Sequence, residues 1–186
     1  QETLLLQKQL LSPSHPNTLD TMSQQAATLG HLKRHEEALP LHKTCFELRH
    51  EKLGDDHPTT QASMTQLAYC YSCLKQYEDS LKFHKEALPL YEKRMGPTHE
   101  KTLNCMWFLV AVLFDLNRSG EAIPIIDTCL QRSAEAKANP NRVNAMYVLR
   151  FRHYQKKREI KPCLATVTDW EKRKLALVND QVDLAK

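Results

Sequence analysis

Asp56-His57-Pro58-Thr59-Thr60 opens a stretch that continues through Met64, Leu67-Ala68 and Tyr71 and breaks near Lys75-Gln76. It resumes with Tyr77, Ser80-Leu81, His84, Ala87-Leu88 and Tyr91 and stops at Gly96. The apolar residues on each side of the break recur at helical spacing, so the stretch predicts two helices. Pro58 near a first helical position loses no hydrogen bond, and Asp56 just ahead offers a cap-type side chain. Gly96 is expected to end the second helix in the left-handed αL conformation. So short a connection forces the two helices antiparallel.

The same text recurs in both directions. His15, His57 and His99 are 42 residues apart, as are Thr18, Thr60 and Thr102. Pro16 matches Pro58, and Leu53-Gly54 matches Met95-Gly96. Ser14 and Thr98 repeat the cap-type side chain of Asp56. Ala38, Ser80 and Ala122 form one column of small residues; Cys45, Ala87 and Cys129 form a second. The agreement covers about residues 14–138 and marks a tandem repeat. Each unit's apolar face can be covered only by the next unit, which predicts an all-α solenoid of helix hairpins.

Composition narrows the function. With 41% apolar and 26% charged residues the chain can bury a core. Its 4 glycines, at 30, 54, 96 and 120, are too scattered for a glycine-rich nucleotide loop. Apolar runs such as 105–114 are far short of the roughly 18–20 residues of a membrane span. Glu2, Gln7, Lys8 and Gln9 break up the N-terminus, which does not read as a signal peptide. Six scattered cysteines in a chain this size favour free buried thiols and a reducing, cytoplasmic setting over a disulfide framework.

The central unit, with Leu67-Ala68, Tyr71, Tyr77, Ser80 and Ala87 at their characteristic spacings, resembles the tetratricopeptide repeat (TPR) family. The 42-residue period and the Leu-Gly-x-x-His-Pro linker at residues 53–58 look like its kinesin light chain subgroup. The resemblance implies a right-handed all-α TPR solenoid occupying residues 1–186 as one domain. Its expected units are the second helix of a truncated repeat (1–13), repeats at 14–55, 56–97 and 98–140, and a degenerate repeat with capping helix (141–186). Since Gln1–Leu11 aligns with Lys43–Leu53, the chain reads as a piece of a longer protein. The fourth unit matches at Tyr154, Ile160, Cys163 and Trp170, whereas Arg150 and Phe151 stand where Leu and a small residue are usual. The segment Leu149–Gln155 with Cys163 and Trp170-Glu171-Lys172 also resembles TPR tails of planctomycete-type bacterial serine/threonine kinases.

Packing accounts for most residues that invite chemistry. Cys70-x-x-Cys73 is the only pair with ligand spacing, and structural zinc usually needs four ligands. A redox pair normally sits at a helix N-terminus, and this one lies near a C-terminal end. His15, His57 and His99 fall at every linker, which assigns them to capping and packing, because a catalytic site needs one constellation and not three copies. His42 and His84 are expected as half-buried packing residues. The expectation is no catalytic residue, no metal and no cofactor.

What remains is surface. The TPR resemblance implies a concave groove lined by the first helix of each unit. Carried onto this chain it includes Gln66 and Tyr69 of the second unit, and Asn104, Trp107, Phe108, Phe114 and Asp115 of the third. The Lys/Asn carboxylate clamp of chaperone-binding members is absent, with Ser23, Ala27, Thr65 and Tyr69 at its positions. Trp107, Phe108 and Phe114 either pack against the fourth unit or anchor a partner. Residues 150–174 carry nine Lys or Arg against three acids. This run is either a solvated capping face, with Arg150, Lys157, Lys161 and Lys172, or an attractor for an acidic segment. Arg152, Lys156 and Lys157 would then flank the aromatic anchor. The expected function is a protein–protein interaction scaffold binding a protein or peptide segment, with acidic character and an apolar anchor. A regulatory tail of a serine/threonine kinase is the second reading, and a nucleic-acid-binding solenoid the third.

Overall fold

The computed structural model describes residues 10–136 and 139–183, with side chains as far as 174; the expected truncated helix at 1–13 lies mostly outside them. Among the described residues there are eight helices and no strand. They are α1 (Pro16–His31), α2 (His35–Leu53), α3 (Pro58–Cys73), α4 (Tyr77–Met95), α5 (Glu100–Asp115), α6 (Ser119–Glu135), α7 (Pro140–Lys156) and α8 (Ile160–Asp183). Each helix packs on the next, and α3 also meets α5, so first helices of successive hairpins lie side by side.

Two kinds of turn alternate. Within each hairpin three residues reverse the chain, and the middle one takes a positive φ: Lys33 (60°), Lys75 (60°), Asn117 (57°) and Arg158 (58°). The amide that follows reaches back five residues, as Gln76 does to the Tyr71 carbonyl (2.9 Å) and Arg118 to that of Leu113 (2.8 Å). This is the Schellman closure, made here without glycine. The last of these turn residues comes 41 and not 42 positions after Asn117, so the fourth hairpin is one residue short in register.

Between hairpins the glycine and the histidine do the work. Gly54 (φ 75°, ψ 174°) and Gly96 (φ 91°, ψ 164°) end α2 and α4. Their φ is positive as expected, but ψ is extended, so they lie in a region open essentially to glycine alone and not in αL. The helix caps are corrected too. Nδ1 of His15, His57 and His99 accepts from the backbone amides of Asn17 (3.2 Å), Thr59 (3.3 Å) and Lys101 (3.1 Å). Ser14, Asp56 and Thr98 are not the N-caps. In the first two units proline at the first helical position makes the next amide the first donor needing a partner, and in all three the imidazole two residues before that amide reaches it. Thr102 ties its hairpin to the preceding one by donating to the Gly96 carbonyl (2.8 Å).

The small-residue columns are the tightest part of the core. Ala38, Ser80 and Ala122 are fully enclosed, as are Cys45 and Ala87, with Cys129 close behind. His42 and His84 are buried outright and not half-buried, because their column points between the helices of the hairpin. In the last hairpin Arg150 occupies the place that Leu67 and Leu109 fill elsewhere. Its guanidinium is satisfied by Asp127 (3.0 Å), Asp169 (2.7 Å) and Thr166 (3.0 Å), tying α7 to α6 and α8. Arg150 therefore is not part of a solvated face: its side chain is only 13% exposed. Arg173 likewise turns inward, onto the carbonyls of Leu130 and Ser133 at the end of α6.

Two substitutions check this packing. Ala122→Leu should lower unfolding free energy by about 1–3 kcal/mol in urea titration, since no space surrounds the methyl. Gly96→Ala should cost about 1–3 kcal/mol for backbone strain alone, because a β-carbon there meets nothing within 4 Å.

Candidate functional site

Three recesses line up along the first helices. The largest, about 410 Å³, lies among α1 (Ala27, Gly30, His31), α2 (His35, His42) and α3 (Gln66, Tyr69, Cys70). Phe108 of α5 closes its far side. A second, about 230 Å³, lies among α3, α4 and α5, between Gln66, His84, Tyr91, Lys101 and the other side of Phe108. A third, about 310 Å³, sits where α5, α6 and α7 meet, against Trp107, Ser133, Arg142 and Met146. Thr65, Gln66 and Phe108 are common to the first two, and Asn104 to the second and third. The row is continuous.

An aromatic chain runs through it. His35 meets Tyr69 edge-on (6.5 Å), and Tyr69 meets Phe108 edge-on (5.7 Å). Phe108 lies flat on His84 (5.3 Å, 3°) and edge-on to Trp107 (5.1 Å, 81°). Beyond Trp107 the Arg142 guanidinium stands over the indole, 5.8 Å from its centre. Each contact spans neighbouring helices or neighbouring residues, so the repeat spacing itself sets the rings in line. Tyr69 is the most accessible of them, at 49% exposure.

The sequence-derived groove residues divide accordingly. Gln66, Tyr69, Asn104, Trp107 and Phe108 all line the row. Trp107 and Phe108 touch but face different recesses, as neighbours on a helix must. Phe114 instead packs against the apolar core around α5 and α6. Asp115 is exposed at the C-terminal end of α5. Arg152, Lys156 and Lys157 are exposed towards the end of α7 and line none of the three recesses. Sequence reasoning missed Arg142, which the irregular fourth hairpin hid, and the groove role of His35, whose position holds Tyr77, Ser119 and Ile160 in the other hairpins.

Burial works against the charged forms of the thiols and imidazoles along the row. Burial pushes the Cys70 thiol up to about 11 and Cys105 to about 12, so neither offers a thiolate near neutral pH. Among the described residues no group of three or more His, Cys, Asp or Glu side chains could hold a metal ion. His42 is held below its ordinary pKa by burial first and by His35 second. Burial alone takes His84 down to about 4. Flat against Phe108 and 3.9 Å from the Cys105 sulfur, it has no acidic neighbour to favour its charged form.

Comparison with known proteins places this geometry. A family model described as tetratricopeptide repeat matches residues 20–93 and 60–135. No curated protein matches the chain by sequence. Among solved structures, a kinesin light chain candidate from Podosopora anserina with nearly identical TPR-like repeats is similar in two crystal structures. A single-substitution variant superposes with a TM-score of 0.81 at 17% identity, covering 96% of this chain and 84% of that one. The other gives 0.77 at 18%, covering 93% and 84%. BtubC (BKLC) from P. vanneervenii gives 0.79 at 17%, covering 96% of this chain and 71% of that one. At such identities the likeness concerns the fold.

The His84 environment sets a pH dependence. Unfolded chain takes up this proton near 6.5 and folded chain only near 4, so stability should fall as pH drops through that window and the effect level off below it. The loss is about 3 kcal/mol by pH 4. Chemical unfolding of His84→Gln should show a shallower decline between pH 6.5 and 4 than the parent; an equal slope would contradict a buried neutral imidazole.

Proposed function

The chain belongs to the tetratricopeptide repeat family, and from that premise we propose that it is a protein–protein interaction scaffold taking a peptide or protein segment along its row of recesses. The observation that carries the reading is the unbroken aromatic chain from His35 through Tyr69 and Phe108 to Trp107, bordered by recesses on both sides. The recesses suit the side chains of an extended segment, and Gln66 and Asn104 stand where they can hydrogen-bond its backbone. Aromatic side chains with part of their surface open are the groups most often found as anchors in interfaces. In this reading the chain performs no chemistry of its own.

The segment's charge follows from what surrounds the row. Arg142 stands at one end, and Arg152, Lys156 and Lys157 are exposed on the same helix and the turn after it. An apolar anchor accompanied by Asp or Glu fits this end best. Exposed lysines and arginines of this kind act chiefly on the rate of encounter. Among the described residues no helix is long and apolar enough to cross a membrane.

Tyr69 provides the cleanest test, because half its surface is open and its loss leaves the core untouched. Tyr69→Ala should weaken binding of a segment selected on this chain by about 2 kcal/mol or more, with the melting temperature little changed. Unaltered affinity in Tyr69→Ala and in Trp107→Ala would rule out the aromatic row as the binding surface.

A further inference from the structure

The third recess lies at a break in the repeat. Helices α2 and α4 each run 19 residues to a glycine of positive φ, whereas α6 runs 17 and is capped by Ala136 at φ −99°. At the places of Leu53-Gly54 and Met95-Gly96 the third unit has Lys137-Ala138, without the glycine. The helix ends half a turn earlier than its counterparts, and about 310 Å³ lies open between α5, α6 and α7. Leu103, Trp107, Val143 and Met146 give it an apolar wall.

Two groups on that wall lack what their chemistry asks for. The indole N–H of Trp107 is buried with no hydrogen-bond partner among the described residues. A buried donor left unpaired has lost its hydrogen bonds to water and gained none in return. Arg142 makes no ion pair among the described residues; its contact is the face of that same indole. A cation over a ring that water reaches is held more weakly than one in a charge-assisted hydrogen bond to a carboxylate. An incoming carboxylate therefore draws the guanidinium off the ring. Glu100 at the start of α5 also lines the recess and gives it one carboxylate of its own, so a second anion is accepted only where Arg142 can meet it directly.

Resting on the groove reading above, we infer that this recess is the subsite for an acidic side chain of the bound segment, preferentially glutamate. The two methylenes lie against Leu103, Val143 and Met146. The carboxylate pairs with Arg142 and, once the guanidinium has lifted, accepts from the Trp107 N–H. This places the charge-reading element at the junction of the third and fourth hairpins, one recess beyond the Phe108 anchor, and apart from the exposed lysines at the other end of α7.

The test uses a display library of random twelve-residue peptides selected on the whole chain. Selected peptides should carry Glu or Asp at a fixed spacing from an apolar residue. Changing that Glu to Gln in a selected peptide should weaken its Kd about tenfold or more against the parent chain. Against Arg142→Gln the same change should cost under about twofold, while the peptide's apolar residue still matters. Trp107→Phe, which keeps the ring and loses the N–H, should give an intermediate value. The two variants' melting temperatures exclude unfolding as the cause. Selected peptides without an acidic position, or a Glu-to-Gln penalty equal in parent and Arg142→Gln, would overturn the subsite while leaving the aromatic groove standing. Peptides whose binding ignores Tyr69 and Phe108, or a library yielding no binder, would overturn the groove reading and this inference with it.

Discussion

In the first three hairpins a small residue of the second helix, Ala38, Ser80 or Ala122, is fully enclosed where the two helices pack. A small residue there lets the two helices approach closely, and three hairpins of like width stack regularly. Stacking puts α1, α3, α5 and α7 side by side, and the row of recesses exists because they are. A larger residue in the column would wedge a hairpin open and disturb its neighbours' contacts as well as its own. The second enclosed column, Cys45, Ala87 and Cys129, makes the same demand further along the second helix.

Between hairpins the restraint is polar and local. A histidine cap, a threonine reaching the preceding carbonyl and a glycine of positive φ set the angle at which each unit meets the next. Where the glycine is missing, after α6, the next hairpin is joined differently. Arg150 ties it to α6 and α8 through two aspartates, in place of the buried leucine of the regular units. Such a pair of partly exposed ion pairs contributes less than a packed leucine. The third recess lies at this same junction, where the sequence has Lys137-Ala138 in place of the Leu-Gly or Met-Gly of the regular units.

The helices and their pairing were legible in the sequence because a 42-residue period repeats the same apolar spacing three times. The histidine columns were legible as capping, yet the particular cap was not: Ser14, Asp56 and Thr98 have the usual capping chemistry, and only the backbone path shows that the imidazole is nearer. The reversal within each hairpin gave little signal, since lysine, asparagine and arginine take the positive φ that glycine would have advertised. For the site, five of the residues read from the family resemblance line the recesses, because the repeat dictates which helix face turns inward. Phe114 illustrates what periodicity leaves out: it follows Trp107 by two turns on the same helix, packs against the same core, and lines none of the three recesses. Arg142 lay beyond reach for the opposite reason, since its hairpin departs from the register by one residue.

The central claim is that the faces of the first helices, and not the outer helices, receive a partner. Amide hydrogen exchange of the whole chain, alone and saturated with a library-selected peptide, tests it most directly. The account predicts slowed exchange along α3 and α5, extending to the facing parts of α1 and α7. Protection confined to α2, α4 and α6 would contradict it.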